Sequence, residues 1–366
     1  MKTVKVNLGP TSYKVHISAG ILGKLGRLVN GPDITKVVIV TDKNVERLYG
    51  DIVTKGLQPY KPDVEVISID PGEEQKSLSM ADDLYNRFFE LEIDRKGLII
   101  ALGGGVVGDL TGYVAATYMR GISYVQVPTT LLAQIDSSIG GKVAVNHPRG
   151  KNMIGCFYQP KAVYIDPLTL KTLPREEITQ GLVEVIKYGV IRDASFFNYL
   201  DKHLPDILRL DPKVLETVIE NCCRIKAWVV ERDEREETGL RSILNYGHTL
   251  GHAIEAVGEY RGPRHGEGVA IGMILATGIA LRLGITDEKV LERQRQLLQR
   301  AGAPTYYRQD TEPLFDFLYR DKKAVGGKLK FVLPAKIGKV TLQEVDIGIV
   351  KEVLAGGRGN EGTPAS

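Results

Sequence analysis

The sequence predicts an α/β fold in two parts: an N-terminal domain built on a mostly parallel sheet, residues 1–168, and a C-terminal, mainly α-helical domain, residues 169–366. Three observations lead there. A chain of 366 residues exceeds the size at which one hydrophobic core stops growing, which favours two domains. Up to about Asp166, short β-branched runs alternate with amphipathic stretches, the pattern of a parallel sheet covered on both faces. Beyond "DPLTLKTLP" the apolar residues recur at helical spacing instead.

The strands follow in order. "KVVIVTD" (36–42), "VEVISID" (64–70), "GLIIALGGG" (97–105), "ISYVQVP" (122–128) and "AVYID" (162–166) are β-branched and bounded by Gly, Pro or Asp. Stretches such as "SLSMADDLYNRFFELEI" supply the helices between them. In the second part, "REEITQGLVEVIKYGVI", "PKVLETVIENCCRIKAWVVERDE", "HTLGHAIEAV", "GEGVAIGMILATGIALRL" and "DEKVLERQRQLLQRAG" read as helices. "KLKFVLPAKIGKVTLQEV" reads as a short hairpin, and the tail "AGGRGNEGTPAS" as poorly ordered.

Composition narrows the function classes. A formal net charge of +3 with no basic block argues against nucleic acid as a partner. The start, "MKTVKVNLGP", lacks the apolar core of a signal peptide. The apolar run Val269 to Leu281 is interrupted by glycines and falls short of the ~20 residues that cross a bilayer, so it reads as a buried helix and no membrane is expected. Cys156, Cys222 and Cys223 form no CxxC pair, which suits reduced thiols in a cytoplasmic protein.

"LIIALGGGVVGDLTGYVAA" runs strand, glycines, helix, and Gly103, Gly105 and Gly108 satisfy GxGxxG. Glycines let a backbone approach a phosphate, and a helix N-terminus attracts its charge. A tight strand-to-helix turn without a ligand would use similar residues. The loop also departs from the dinucleotide fingerprint: it lies outside the first βαβ unit, and the next strand ends "VPTT" with no acid. A ribose-binding acid must then come from elsewhere, and Asp42 and Glu73 both follow strand C-terminal ends. No Walker A lysine follows the loop.

"LNYGHTLGHAIE" puts His248 and His252 on one helix face. Two histidines at this spacing are most often polar surface. A zincin would need Glu directly after the first His, where Thr249 stands. His265, between Arg264 and Gly266, reads as a loop residue ahead of the buried helix. Glu184 lies three residues from Lys187 amid apolar neighbours, which could be a plain helical ion pair. One carboxylate and two imidazoles with an open fourth position nevertheless suit a catalytic zinc, and only one of His248 and His252 need bind it. A basic set remains: Arg120, Lys142, Lys151, Lys187, Lys226, Arg241 and Lys322/Lys323. "DSSIGGKVAVNHPRGKNMIG" gathers Asp136, Lys142, Asn146, Lys151 and Asn152 in one polar region, which reads as a long loop suited to an anionic, hydroxyl-rich ligand.

Six stretches, "GGGVVGDLTGYVAATYMRG", "VPTTLLAQIDSSIGGKVAVNHPRGKNMIG", "LKTLPREE", "GLVEVIKYG", "LNYGHTLGHAIE" and "RHGEGVAIGM", together resemble the 3-dehydroquinate synthase family over about residues 35–345. The resemblance implies a Rossmann-like NAD-binding domain, a helical metal-binding domain and a homodimer. It implies that Glu184, His248 and His265 hold Zn2+ or Co2+. It places NAD contacts at Asp42, Asn44, Glu73, Lys76, Gly104, Gly105, Val106, Asp109, Thr129, Thr130, Lys142, Lys151, Thr172, Leu173 and Glu177. Substrate falls to Arg120, Asp136, Lys142, Lys151, Asn152, Lys187, Lys226, Arg241 and Lys322 or Lys323. Catalysis falls to Lys142, Lys187, Glu237, Arg241, Asn245 and His252. Val143, where Thr commonly follows the GGK lysine, and Cys156 after "MIG" are small departures that remove no charge. The implied reaction converts 3-deoxy-D-arabino-heptulosonate 7-phosphate to 3-dehydroquinate and phosphate, a step of the shikimate pathway. Another sugar phosphate cyclase, an NAD- and metal-dependent polyol dehydrogenase and a non-catalytic nucleotide-binding scaffold are the rival readings.

Overall fold

The chain opens with an antiparallel pair, β1 (Lys2–Val6) and β2 (Tyr13–Ile17), in which every second residue is buried. The computed structural model describes residues 1–29, 31, 33–60, 63–258, 263–307, 311–320 and 328–356. The elements α1 (Leu25–Leu28), β3 (Val37–Asp42), α2 (Lys43–Val45), α3 (Asp51–Leu57), β4 (Val64–Ile69), α4 (Leu78–Glu90), β5 (Leu98–Gly103) and α5 (Gly105–Thr117) follow. Next come β6 (Ser123–Pro128), β7 (Lys142–His147), β8 (Gly150–Phe157) and β9 (Ala162–Ile165). Seven strands form one sheet in the order β1-β2-β9-β6-β5-β3-β4, parallel except for β1 against β2. The five expected strands are β3, β4, β5, β6 and β9.

Period-two alternation sorts the sheet's side chains onto two faces. Val38 and Val40 pack with Leu84, Phe88, Leu110 and Val114. Val37 and Ile39 pack with Val53, Leu57, Leu98 and Ile100 on the other side. Apolar side chains therefore pack on both faces of the sheet.

The stretch read as a long polar loop is instead mostly a hairpin, β7 paired with β8, with Lys142 opposite Phe157 and His147 opposite Gly150. Val143 and Val145 face the core beside Leu110 and Val114. Polar residues on the opposite face of β7 and along the exposed β8 hid that alternation.

The chain continues through α6 (Arg175–Arg192), α7 (Ala194–Leu208), α8 (Pro212–Val230), α9 (His248–Val257), α10 (His265–Arg282), α11 (Glu288–Arg300) and α12 (Glu312–Arg320). The hairpin of β10 (Lys328–Lys336) and β11 (Lys339–Asp346) and the helix α13 (Ile347–Gly356) close the described part. Two compact units result: Met1–Ile178 with Leu210–Glu237, and Thr179–Arg209 with Thr238 onward. A single cut after residue 168 thus differs from the compact units, because α8 returns to the first. Lys2 Nζ lies 2.8 Å from Glu220, and Glu216 accepts from the Ala19 N–H at 2.8 Å.

In the second unit α10 is buried along nearly its whole length, as its apolar sequence requires. His265 is the first residue of α10 rather than part of a loop. The capping box explains this: Glu267 accepts the Arg264 N–H at 2.9 Å, which fixes the helix start. No helix among the described residues is long and apolar enough to cross a membrane. Residues 357–366 and Lys322/Lys323 lie outside the described residues.

Candidate functional site

In the first unit, β3 lies between β4 and β5, and β6 continues on the far side of β5. The chain therefore leaves β3 in one direction and β5 in the other, which makes the carboxyl ends of these two strands a topological switch point, where open α/β sheets bind ligands. Asp42 ends β3, and its Oδ1 accepts the N–H groups of Asn44 at 2.9 Å and Val45 at 3.1 Å. Gly103 ends β5, and Gly104 caps α5. A Cβ on Gly103 would come within 2.7 Å of Val107, and one on Gly108 within 2.7 Å of Gln126 Oε1. These two glycines serve the turn and the helix-on-strand packing. Gly104, Gly105 and Val106 then present a helix N-terminus with no side-chain cap to the switch point. Thr129 and Thr130 follow β6 at the same edge, and the Thr129 N–H donates to Gly103 O at 2.9 Å. Thr172, Leu173 and Glu177 follow β9, with Thr172 hydrogen-bonded to Tyr49.

Glu73 and Lys76 come from the turn after β4. Lys76 is 5 % exposed, with its amine 2.5 Å from Asp109 Oδ2 and also on Asn152 Oδ1. Burial pushes the Asp109 carboxyl above its ordinary pKa, against the pull of Lys76. Asn146 Nδ2 donates to Glu73 Oε1 at 2.7 Å. Lys226 is buried and donates to Asp136 Oδ1 at 2.5 Å. Lys142 is half exposed and ion-paired with Glu236, not with Glu237, which is exposed in the same loop. Lys151 and Arg120 are exposed, with Arg120 in a left-handed turn at φ 68°.

In the second unit, Glu184 of α6 is 1 % exposed and Lys187, one turn on, is 2 % exposed. Lys187 pairs with Glu184 Oε2, while Glu184 Oε1 lies 3.5 Å from His248 Nε2 and 3.7 Å from His265 Nε2. A tetrahedral Zn2+ with bonds of about 2.1 Å sets its ligand atoms ~3.4 Å apart, so Glu184 Oε1 already stands near coordination spacing from both imidazoles, and ligand atoms of the three residues all lie within 4.8 Å of one another. The proton positions agree. His248 Nδ1 donates to the Tyr246 carbonyl at 3.1 Å, and His265 Nδ1 donates to Glu255 at 2.7 Å. Both Nε2 lone pairs are then left for a cation, the arrangement typical of metal-bound histidines. Burial, with Lys187 adding to it, pushes His248 down to about 4, which keeps it neutral as a ligand must be. Burial also pulls His265 down, but Glu255 and Glu184 outweigh it and the net shift is upward.

A second candidate group among the described residues, His252, Glu255 and His265, shares the last ligand. There His265 Nδ1 already donates to Glu255 and His252 is exposed, so the Glu184, His248 and His265 group fits a metal better. Arg241 is buried and Asn245 exposed, both in the 3-10 segment Leu240–Asn245 that leads into α9. Sequence reasoning missed Glu255. Its signal was a carboxylate three residues after His252, on the helix that carries His248.

The structure resembles two solved enzymes throughout. A 2-deoxy-scyllo-inosose synthase complexed with carbaglucose-6-phosphate, NAD+ and Co2+ matches with a TM-score of 0.89 at 29% identity, over 97% of this chain and 100% of that one. A 2-epi-5-epi-valiolone synthase from Streptomyces hygroscopicus, with NAD+ and Zn2+ bound, matches at 0.85 and 26% identity, over 96% and 98%. The fold is that of the sugar phosphate cyclases. Residues 66–180 match the 3-dehydroquinate synthase N-terminal family and residues 181–324 the 3-dehydroquinate synthase C-terminal family. The 3-dehydroquinate synthase of Desulforamulus reducens is 52% identical over 354 residues, 95% of this chain and 98% of that protein. The chain belongs to the 3-dehydroquinate synthase family.

Proposed function

We propose that the protein converts 3-deoxy-D-arabino-heptulosonate 7-phosphate to 3-dehydroquinate and phosphate, using NAD and a divalent metal, Zn2+ or Co2+. The observation that carries the reading is the set of Glu184 Oε1 and two imidazole Nε2 atoms near coordination spacing, in a chain of this family. NAD, held at the switch point by Asp42, Glu73, Lys76 and the α5 N-terminus, supplies a reversible hydride acceptor and so leaves no net redox change. A metal at Glu184, His248 and His265 supplies Lewis acidity toward a substrate hydroxyl.

The chain's own residues do the rest. Lys142, Lys151, Asn152 and Arg120 bind the phosphate and favour its departure as an anion. Lys187 and Arg241 bind the carboxylate, and the ion-paired Lys226 and Asp136 are further substrate-binding positions. His252 is exposed beside His248, with ring centroids 5.3 Å apart, and carries protons without being a ligand. Asn245 and Glu237 orient substrate hydroxyls. The working form is a cytoplasmic homodimer, and the three free cysteines suit a reducing compartment.

The deciding experiment follows phosphate release and 3-dehydroquinate formation from the heptulosonate phosphate, with glucose 6-phosphate as the competing substrate. Phosphate and 3-dehydroquinate should appear in equal amounts from the first substrate only. Turnover of glucose 6-phosphate instead would identify another cyclase, and reduced nicotinamide accumulating without phosphate a polyol dehydrogenase.

A further inference from the structure

We propose that Asn146 is a positioning residue that holds a nucleotide-binding and a substrate-binding group in register within the first unit. This rests on the reading above, in which Glu73 grips NAD and Asn152 grips the phosphate. The family resemblance assigns NAD to Glu73, Lys76 and Asp109 and substrate to Asn152, the other members of a connected polar network, and assigns no ligand to Asn146.

Asn146 sits on β7 and ties three segments together. Its backbone N–H donates to Lys76 O at 2.7 Å, which joins β7 to the turn after β4. Its Nδ2 donates to Glu73 Oε1 at 2.7 Å. Its Oδ1 accepts the Asn152 N–H at 2.8 Å. The amide orientation is forced, because a carboxylate only accepts and a backbone N–H only donates. Asn152 needs the support: its φ of 59° is left-handed, which a non-glycine residue adopts at a conformational penalty. Lys76 grips its side chain at Oδ1 and reaches Asp109 on the helix of the glycine loop. With Oδ1 held, Asn152 offers a ligand its Nδ2 donor, which suits a phosphate oxygen. The network thus runs Glu73, Asn146, Asn152, Lys76, Asp109, and Asn146 is the link whose side chain supplies both a donor and an acceptor.

That dual demand gives a test a plain structural role would not pass. Asn146→Asp keeps an acceptor for the Asn152 N–H but sets a carboxylate against Glu73. Asn146→Ala removes both links. NAD affinity is measured by calorimetry on the full chain, and KM for the heptulosonate phosphate by phosphate release. Asn146→Asp should weaken NAD about tenfold or more, the effect of losing a hydrogen bond to a charged group, and leave KM within about twofold. Asn146→Ala should worsen both about tenfold. Thermal melting of Asn146→Asp close to that of the parent shows that the loss is local, so this variant decides alone if Asn146→Ala does not fold. Equal effects of Asn146→Asp on both readouts, or none on either, would overturn the assignment. Glu73→Ala and Asn152→Ala separate the two levels. If Glu73→Ala leaves NAD affinity intact, the nucleotide site itself is misplaced. If both controls lose their ligand while the Asn146 variants keep theirs, only the positioning role falls.

Discussion

Glu184 divides its carboxylate between two tasks: Oε2 faces Lys187, and Oε1 faces the two histidines. The division shapes the mutations that test the metal. Glu184→Ala strips a buried lysine of its partner, a change that costs roughly 3–5 kcal/mol in itself. Glu184→Gln and His265→Ala are the cleaner variants, and both should lose bound metal, read by elemental analysis after dialysis, while circular dichroism stays that of the parent. His252→Ala should keep its metal and lose rate, and metal loss equal to that of His248→Ala would mean that the wrong histidine has been chosen. Glu255→Gln should weaken metal affinity by about 10- to 100-fold, the usual effect of losing a carboxylate behind a ligating imidazole. Competition with a chromophoric chelator reads this without reference to activity. The sequence displays the ligand types, one acid and several imidazoles, but spacing alone leaves His248 and His252 equivalent because they share a helix face. What separates them is the third dimension: His248 Nε2 lies 3.5 Å from Glu184, while His252 is exposed. Glu255 stayed hidden because its partner, His265, sits on the next helix.

At the scale of elements, the pairing of α9 with α10 sets the distance between those histidines. Gly247 and Gly251 face Gly268 and Gly272 across the contact. A Cβ on Gly251 would come within 3.1 Å of Gly268 and Val269 backbone atoms, and one on Gly272 would run into the Gly247 carbonyl. Gly247 is also left-handed, at φ 81°. Only backbone-to-backbone contact brings the His248 and His265 ring centroids to 5.3 Å. Gly272→Ala should therefore push the helices apart, lowering stability by roughly 1–3 kcal/mol in denaturant melts and lowering metal content with it. Gly23→Ala, where nothing lies within 4 Å of the added Cβ, is the control and should change neither. An unchanged metal content in a folded Gly272→Ala protein would detach the helix spacing from the site. The β7–β8 hairpin shows why some elements escape a sequence reading. Two buried valines on β7 are a short signal, and β8 is mostly exposed, so polarity outweighs alternation. Strands β3 and β5 have no such conflict, since burial on both faces leaves the runs Val37–Val40 and Leu98–Leu102 apolar without interruption.

For the whole molecule, the glycine-opened helix belongs to one compact unit and the proposed metal ligands to the other. The proposed reaction makes a demand of its own. It uses a redox cofactor for a transformation without net oxidation. The phosphate leaves from a position β to a carbon whose proton is barely acidic, and a neighbouring ketone makes that proton removable. The ketone must then be reduced again, or the product would carry the wrong oxidation state. NAD should accordingly act as a catalyst. With NAD supplied at about a hundredth of the substrate concentration, the entire substrate pool should be converted, and reduced nicotinamide should never exceed the enzyme concentration. Dehydrogenases that share only part of this chemistry behave differently, because each turnover consumes one oxidised cofactor. Phosphate release that stops once the added NAD is spent, with an equal amount of reduced cofactor in solution, would show that the hydride is not returned. It would move the protein to the oxidoreductases while leaving the nucleotide and metal assignments in place. Full conversion with reduced cofactor held below the enzyme concentration shows instead that each hydride is returned on the enzyme before the organic product is released.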